Sequence, residues 1–511
     1  MTEYIEPVGD DYPVDDDAEP EQKPKRTAKG AAIVGVRVLA GTIGVGVAAA
    51  AILAAALLPI PTVSRPSSPV TVTPVPTAQQ LVCPGSLFQL GDETGQDATT
   101  ASSIGAASVE FDSTSGAVTS SPLADAAAET DASTREPVVL SSPVGDTSVD
   151  DDVLISGAQA QVAARGDFRG LAATNCAQAV TETWLVGGST ATGRTTLVTL
   201  VNPSDTSSTV SVSIFGEDGA VSAPGAEGIV VQPHSQRVLS LAGFAPGIEA
   251  PVVRVLSKGG QIVANLQQAT VRGLEPGGVD IVGSTNAPAT SQFIPGVVVA
   301  NSAALQSRLG EDGFADLDTA LRVYLPGEEG ADVTVDVVSE LTGESSSFSI
   351  TLEPGVVTDV PVDGLADGAY TVTVTSERPV VAGLRVAIVP AADPAGLVAS
   401  TGSDFAWLTS VLPVRDRALV TVASGPRPQL HFFNPTDEAA ELTIDAVSGT
   451  DLELVVPPGK AAYIDVVEGA TYELGGFDTL YGSVSYVSDT ALAGYAVLPP
   501  TSVSPPIEIY P

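Results

Sequence analysis

The stretch LVTLVNP at residues 197–203, followed by TVSVSI at residues 209–214, carries the pattern that decides the fold. β-Branched and polar residues alternate, which places successive side chains on opposite faces of a strand with one buried face. Asn202-Pro203 between the two runs is typical of a chain reversal, because proline cannot donate to a strand ladder and the asparagine amide can bond nearby backbone. The pattern predicts antiparallel strands joined by short turns.

The same order of features returns twice, at a period of about 100 residues. The third copy has LHFFNP at residues 430–435 and LTID at 442–445, and the second has LRVYLP at 321–326 and VTVDV at 333–337, without the asparagine. We therefore predict a mainly β protein built from tandem immunoglobulin-like antiparallel β-sandwich repeats. Their predicted bounds are residues 181–285, 286–400 and 401–500.

Large aromatic residues stand at the predicted beginning of each copy. Trp184 and Trp407 open the first and third copies in this alignment, and Phe293 occupies the corresponding place in the second. We expect each ring to plug the end of a sandwich core rather than to form a sugar-stacking platform, because the chain has few aromatic residues and no aromatic cluster in sequence.

An uncharged run from Val38 to Leu58 is the longest apolar segment and follows the basic residues Lys23, Lys25, Arg26, Lys29 and Arg37. About 20 helical residues match a hydrocarbon core about 30 Å thick. The run predicts a single membrane-spanning helix at residues 38–58, with the amino-terminal side cytoplasmic and the remainder exported by the positive-inside rule. A cleaved signal peptide is the alternative, although the run is longer than the usual apolar region of such peptides.

Composition divides the rest of the chain. The predicted order around the repeats is a disordered cytoplasmic tail at residues 1–29, the anchor at 30–58, a proline-rich stalk at 59–78, an irregular β unit at 79–180 and a carboxyl-terminal tail at 501–511.

The chain has only two cysteines, Cys83 and Cys176, and both fall on the predicted exported side, where disulfides persist. We predict that they pair and close the irregular unit. The alternative, a reactive or metal-binding thiol pair, lacks neighbouring histidines, because the whole chain has only His234 and His431.

Charge excludes two classes of partner. The chain carries 61 acidic and 22 basic side chains, a formal net charge of −39. Nucleic acids and anionic lipid surfaces would both be repelled. The acidic excess is typical of a soluble surface.

No residue pattern predicts catalysis, and we assign no catalytic, cofactor-binding or metal-binding residue. His234 aligns with Gly355 and Gly459 of the other copies, which predicts an exposed turn, and His431 falls in a predicted strand, which indicates a structural role. A Ser-His-Asp arrangement therefore has almost no candidate for its base. Calcium binding by the acidic groups at residues 150–152 and 316–318 is the alternative to solvated loops, although neither has the spacing of an EF-hand.

Several short motifs occur in a characteristic order: Cys83-Pro84-Gly85, Asn175-Cys176, the run from Trp184 to Gly188, and the Asn-Pro and Pro-Pro-Gly features of the repeats. In that order the chain resembles a poorly characterised actinobacterial family of membrane-anchored envelope proteins, classed as a domain of unknown function. The resemblance implies a cell-envelope location and supplies no catalytic residues.

These features predict a non-enzymatic, single-pass membrane protein that presents β-sandwiches outside the cytoplasm as a scaffold or binding surface for an envelope protein or a wall polymer. The alternatives are a carboxylate-dependent enzyme acting on envelope polysaccharide and an extracytoplasmic receptor. The sequence names no ligand and no oligomeric state.

Overall fold

The computed structural model describes residues 47, 70–72, 79–91, 101–115, 117–123, 136–142, 153–166, 168–391, 402–500 and 507–509. The chain divides into two units, one of residues 1–72 with 506–511 and one of residues 73–505. In the first, strand β1 (Val70–Val72) pairs antiparallel with strand β35 (Ile507–Ile509). The predicted anchor at residues 38–58 lies outside the described residues except for Val47. Within the described part of the chain, no helix has the length and apolarity needed to cross a membrane.

The second unit contains three copies of one eight-strand arrangement, whose strand positions are designated A to H. Copy 1 has β10 (Glu182–Val186), β11 (Arg194–Asn202), β12 (Ser208–Gly216), β14 (Ile229–Val231), β15 (Ser235–Ser240), β16 (Val252–Lys258), β17 (Val263–Arg272) and β18 (Glu275–Val282) at positions A to H. A short strand, β13 (Gly219–Ala220), and a 3-10 helix (Leu241–Gly243) lie between them.

Copy 2 has β19 (Ala289–Val299), β20 (Ala320–Tyr324), β21 (Ala331–Ser339), β22 (Ser345–Leu352) and β23 (Val357–Pro361) at positions A to E. The long β24 (Gly368–Ile388) fills positions F and G, and β25 (Asp404–Thr409) is at position H. Copy 3 begins with the short β26 (Val414–Arg415). Its positions A to H are β27 (Ala418–Thr421), β28 (Gln429–Phe433), β29 (Ala440–Ala446), β30 (Leu452–Val456), β31 (Ala461–Asp465), β32 (Thr471–Gly475), β33 (Thr479–Val487) and β34 (Leu492–Ala496).

In each copy the strands at A, F, C and D form one antiparallel sheet, and those at E, B, G and H form another. Side chains from both sheets make one buried core per copy, as with Leu200 and Val212 in copy 1, because alternate residues of each strand point inward. The prediction of a mainly β protein with antiparallel sheets is confirmed.

The turn between strands F and G shows why the copies look different in sequence. Gly259 of copy 1 and Gly476 of copy 3 have φ values of +97° and +80°, a conformation that side-chain-bearing residues rarely adopt. Copy 2 has no such break, so that strands F and G form the single β24, whose first half pairs with β19 and β21 and whose second half pairs with β20 and β25.

Copy 2 also carries an insertion, helix α1 (Ser302–Leu309) with a 3-10 helix (Ala315–Leu317), which packs on copy 1. Asp316 of this insertion accepts hydrogen bonds from the guanidinium of Arg272 and forms an ion pair with Arg194. Arg308 of the insertion donates a hydrogen bond of 2.7 Å to Oε1 of Glu275 in copy 1. The insertion therefore joins two copies through arginine contacts.

Residues 79–180, named here the disulfide unit, precede the copies. Its strands are β2 (Gln79–Cys83), β3 (Leu87–Leu90), β4 (Ala101–Ile104), β5 (Ser108–Ser113), β6 (Thr119–Pro122), β7 (Val138–Ser142), β8 (Ile155–Arg165) and β9 (Phe168–Asn175). The predicted Cys83 to Cys176 disulfide is formed and buried. It fixes β2 to the end of β9.

The three strands at position H and strand β9 of the disulfide unit form a closed ring. Strand β9 contacts β18, β18 contacts β25, β25 contacts β34, and β34 contacts β9. Copies 1 and 2 each place strand A against the E-B-G-H sheet of the next copy, whereas strand A of copy 3 lies against β8 of the disulfide unit. The disulfide unit in turn packs on copy 1. The disulfide unit thus occupies the fourth position of the ring.

One sequence prediction is wrong in this region. Strand β25, which contains Trp407, pairs with β24 and completes copy 2, so that copy 2 ends at Thr409 and not at residue 400. Copy 3 consequently begins after Trp407. Trp407 is therefore not the counterpart of Trp184, and that counterpart must lie in strand A of copy 3. The alignment failed because strand A of copy 3, Ala418–Thr421, contains no aromatic residue.

We expect replacement of both cysteines by serine to lower the free energy of unfolding by about 2–5 kcal/mol, because the disulfide closes a loop with a sequence separation of 93. Urea denaturation of the Cys83→Ser/Cys176→Ser variant measures the change. A reducing agent should destabilise the wild type to the same extent and leave the double variant unchanged. Equal stability of the variant and the oxidised wild type would contradict the prediction.

Candidate functional site

The centre of the ring is organised by one buried carboxylate, that of Asp404 at the start of β25. Its Oδ2 accepts hydrogen bonds from the backbone N–H of Leu171 on β9 at 2.9 Å and of Leu492 on β34 at 3.1 Å. Its Oδ1 accepts a hydrogen bond from the N–H of Val279 on β18 at 3.3 Å. One side chain therefore connects all four strands of the ring.

Two glycines make room for this carboxylate. A Cβ on Gly170 would lie 2.3 Å from Oδ1 of Asp404, and a Cβ on Gly278 would lie 2.9 Å from the same oxygen. Both glycines also have positive φ values, +143° and +113°. The close approach of backbone to carboxylate thus requires glycine at both positions.

Asp280 on β18 is the second buried carboxylate of the ring. Its Oδ2 accepts a hydrogen bond from the backbone N–H of Trp407 at 2.7 Å, whereas its Oδ1 has no hydrogen-bond partner among the described residues. Burial raises the pKa of Asp280 to about 8, against the opposing effect of the backbone bonds. Burial likewise raises the pKa of Asp404 well above its usual value. Desolvation at the ring centre therefore opposes ionisation of both carboxyl groups, and the backbone N–H donors act against it.

The interface between copies 1 and 2 contains the fully buried Arg322 of β20. Its guanidinium forms two bonds with Asp359, of 2.7 and 2.8 Å, and donates to the carbonyl of Gly188 in copy 1 at 2.9 Å. Its guanidinium carbon also lies 4.4 Å from the ring centroid of Trp407. Burial by itself raises the pKa of Asp359, but the charge and hydrogen bonds of Arg322 outweigh it and hold that pKa below its usual value.

The interface between copies 2 and 3 contains a Ser-His-Glu arrangement. Nδ1 of His431 lies 2.5 Å from Oε2 of Glu340, and Nε2 lies 2.7 Å from Oγ of Ser485. These three residues are distant in sequence and come from two different copies, with Glu340 directly after β21, so that no local pattern indicates that they meet. Their exposed fractions are 0% for His431, 6% for Glu340 and 1% for Ser485, so that no substrate reaches the hydroxyl. The arrangement connects two copies, as the structural role predicted for His431 requires.

Arg322 and His431 are equivalent residues. Each lies two positions before the last residue of its strand B, and that last residue is aromatic, Tyr324 or Phe433. Tyr324 packs on Trp184 of copy 1 with ring centroids 5.9 Å apart, and Phe433 packs on Phe293 of copy 2 at 5.3 Å. The two interfaces therefore use the same arrangement with different polar groups.

The interface between copy 3 and the disulfide unit contains a cleft of about 310 Å³. Its walls include Leu81, Leu154, Cys176, Leu419 and Tyr495, together with Pro499 and Pro500 of the segment after β34. Polar groups are present only as neutral side chains, such as those of Asn175 and Gln178, and the described lining contains no acidic or basic side chain. Leu412, with an exposed fraction of 41%, lies at its edge. An apolar cleft of this kind suits a neutral ligand.

The remaining residues singled out in the sequence lie elsewhere. His234 has a φ of +48° in an exposed turn, where Gly355 and Gly459 also have positive φ, which confirms the prediction, and it contacts Asp205 at 2.7 Å. Asp316 is bound by two arginines, which outweigh burial and hold its pKa below its usual value. Burial, with the nearby Asp363, raises the pKa of Asp318. The acidic group at residues 150–152 lies outside the described residues.

Within the part of the chain that the structure describes, no group of three or more His, Cys, Asp or Glu side chains has the geometry to hold a metal ion. The cleft is therefore the candidate functional site, because it is accessible and uncharged, whereas the polar clusters of the ring are buried and bonded internally.

A family model described as a family of unknown function (DUF5719) matches residues 126–474. The match begins ahead of β7 and ends within β32, so that it spans part of the disulfide unit, copies 1 and 2, and most of copy 3. It agrees with the resemblance seen in the sequence as far as an uncharacterised domain family is concerned. No curated protein matches the chain.

We expect Asp404→Ala to lower the free energy of unfolding by about 3 kcal/mol or more, because three buried N–H groups lose their acceptor and each costs about 1–3 kcal/mol. Chemical denaturation measures the loss. The matched control is Asp205→Ala, whose side chain is 95% exposed and should change stability by less than about 0.5 kcal/mol. If the two variants are equally stable, Asp404 does not hold the ring together.

A second expectation concerns pH. The folded state keeps a proton on Asp280 up to about pH 8, whereas the unfolded state releases it near pH 4. This group's contribution to stability is therefore complete below about pH 4, decreases as pH rises between the two pKa values, and is lost above about pH 8. The slope is about 1.4 kcal/mol per pH unit for a whole proton.

Asp280→Asn cannot titrate, and we therefore expect its stability to fall less steeply than that of the wild type between pH 5 and 8. Denaturation curves over this range test the difference, with Asp218→Asn, at an exposed position, as the control that retains the wild-type slope. Parallel profiles for wild type and Asp280→Asn would show that the carboxyl group does not titrate there.

Proposed function

The chain belongs to this family of unknown function (DUF5719), and from that premise we propose that it is a non-enzymatic binding scaffold of the cell envelope, anchored in the membrane through residues 38–58. In this proposal the immunoglobulin-like copies and the disulfide unit stand outside the cytoplasm and present one accessible apolar cleft to an envelope partner. The basic residues before the apolar run and the two paired cysteines support export.

The observation that carries the binding function is the composition of the cleft. Hydrolysis of a glycan needs two carboxyl groups several ångströms apart at the substrate, and acyl transfer needs an accessible nucleophile beside a base. The described lining of the cleft contains no acidic side chain and no histidine. The nearest approach to a catalytic arrangement, Ser485 with His431 and Glu340, is buried between two copies. Binding is thus the chemistry that the accessible residues support.

Rigidity is the second feature that suits a scaffold. The ring is closed by contacts of each member with the next, and its centre holds buried polar groups that bond backbone of neighbouring members. Such a surface loses little conformational entropy when a partner binds. A partner is therefore expected to meet a preformed cleft.

The topology is tested with alkaline phosphatase fused after Pro511 in living cells, where the enzyme is active only outside the cytoplasm. We expect an active fusion. An inactive fusion of normal abundance would contradict export and with it the proposed scaffold.

The partner is tested by placing a photoreactive amino acid at Leu412 of the full chain, at the edge of the cleft. We expect a discrete, reproducible protein adduct in intact cells. The matched control is the same amino acid at Leu274, which is 97% exposed and lies outside the cleft. The same adducts from both positions, or none from either, would contradict a binding site at the cleft, and release of glycan fragments from cell walls by the purified chain would support the enzymatic alternative.

A further inference from the structure

The cleft lies where the other two copies place an aromatic ring. Register identifies the position: Trp184, Phe293 and Leu419 pair with Arg254, Thr373 and Glu473 of their own strands F. The strands F can be aligned through strand C, where Val212, Val335 and Ile444 are equivalent buried residues. These three residues pair with Val255, Val374 and Leu474 of strand F. Arg254, Thr373 and Glu473 each come directly before one of those strand F residues, so they are equivalent as well. Leu419 is therefore the counterpart in copy 3 of Trp184 and Phe293.

At the first two interfaces this aromatic residue is half of a stack. Trp184 packs with Tyr324 and Phe215, and the Phe215 and Tyr324 centroids are 4.5 Å apart. Phe293 packs with Phe433 and with Tyr481, at 5.3 and 4.0 Å. In both cases the next copy supplies an aromatic ring from the end of its strand B. Stacks of this kind stabilise beyond the area that they bury.

At the interface between copy 3 and the disulfide unit both halves of the stack are missing. Leu419 replaces the first ring, and the disulfide unit contributes Ile155, Ser156 and Gly157 to the cleft at that place. The volume of about 310 Å³ is at the lower end of the range of small-molecule pockets, about 300–1,000 Å³. The space beside Leu419 is thus of a size for one or two rings and not for a large substrate.

We propose that the cleft binds a neutral aromatic side chain of a partner protein, which completes the interface between copy 3 and the disulfide unit as Trp184 and Phe293 complete the two interfaces between copies. This inference rests on the scaffold function proposed above and names the chemistry of its partner. The ring must be neutral, because the walls offer no charge to pair with and a buried unpaired charge is costly. An acidic partner would also be repelled by the net charge of −39.

The probe for this test is N-acetyltryptophanamide, a neutral indole with capped ends, and the aliphatic control is N-acetylleucinamide. Ligand-observed NMR on the full chain measures binding of each. We expect the indole to bind with a dissociation constant on the order of 1 mM, the range for a small ligand of modest efficiency. We expect the leucine amide to bind at least about tenfold more weakly. Equal binding of the two amides would overturn the aromatic class.

Leu419→Trp supplies the missing ring from the chain itself. We expect this variant to lose binding of the indole and to melt at a higher temperature than the wild type. Val455→Trp is the matched control, because Val455 is 59% exposed on β30 of the same copy and the variant should bind like the wild type. Undiminished binding by folded Leu419→Trp would overturn the proposal.

A second variant keeps the test valid if Leu419→Trp does not fold. Leu412→Arg places a charge at the exposed edge of the cleft and should weaken indole binding at least about tenfold without unfolding the protein. If the indole binds only after residues 501–511 are removed, the chain's own tail is the occupant and the proposal is wrong. The two proposals can fail separately. If the wild type does not bind the indole, but the protein adduct formed from position 412 persists in Leu419→Trp, the partner does not insert an aromatic ring. The scaffold function would remain in that case.

Discussion

The arrangement of this protein depends on the hydrogen bonds that the buried carboxyl group of Asp404 accepts. The donors are the backbone N–H groups of Leu171, Val279 and Leu492, and these residues belong to the three other members of the ring. Buried polar groups are costly unless they are bonded, so that the three strands and the carboxylate satisfy one another only when all four members are assembled. The ring is consequently a single structural unit, although its sequence consists of separate copies.

The interfaces between neighbouring members vary one design. Strand B of copy 2 inserts Arg322 and that of copy 3 inserts His431, and each is paired with a carboxylate, Asp359 or Glu340. An arginine and a histidine can replace one another here because each supplies a polar group aimed at an acidic partner and each is followed by an aromatic ring that excludes water. The interface between copy 3 and the disulfide unit has neither feature, since the disulfide unit is not a copy, and a cleft remains there.

Much of the fold follows from local sequence. Alternation predicted the strands of the copies, Asn202-Pro203 marked a chain reversal, and the match of His234 with two glycines marked a turn that has positive φ. Strand β8, whose residues 155–165 read ISGAQAQVAAR, has only a weak local strand signal, because alanine and glycine are depleted in strands. Ala158 and Ala160 of this strand lie in the core that is shared with copy 3, and that packing has no local signature in the sequence. Trp407 was assigned to the wrong copy because its place depends on pairing between strands. Only the pairing of β25 with β24 shows that the strand of Trp407 closes copy 2.

The sequence by itself determined the strand period, the threefold repetition, the disulfide and the absence of a local catalytic motif, because each of these depends on residues that are near in sequence or few in number. Only the tertiary structure decided which residues meet at the interfaces. Three sites show this, because each combines residues of different members of the ring. They are the cluster of Ser485, His431 and Glu340, the buried carboxyl groups of Asp280 and Asp404 with the backbone that they bond, and the walls of the cleft. Their proximity depends on ring closure, and ring closure depends on the sum of many contacts between distant segments, which no single stretch of sequence encodes.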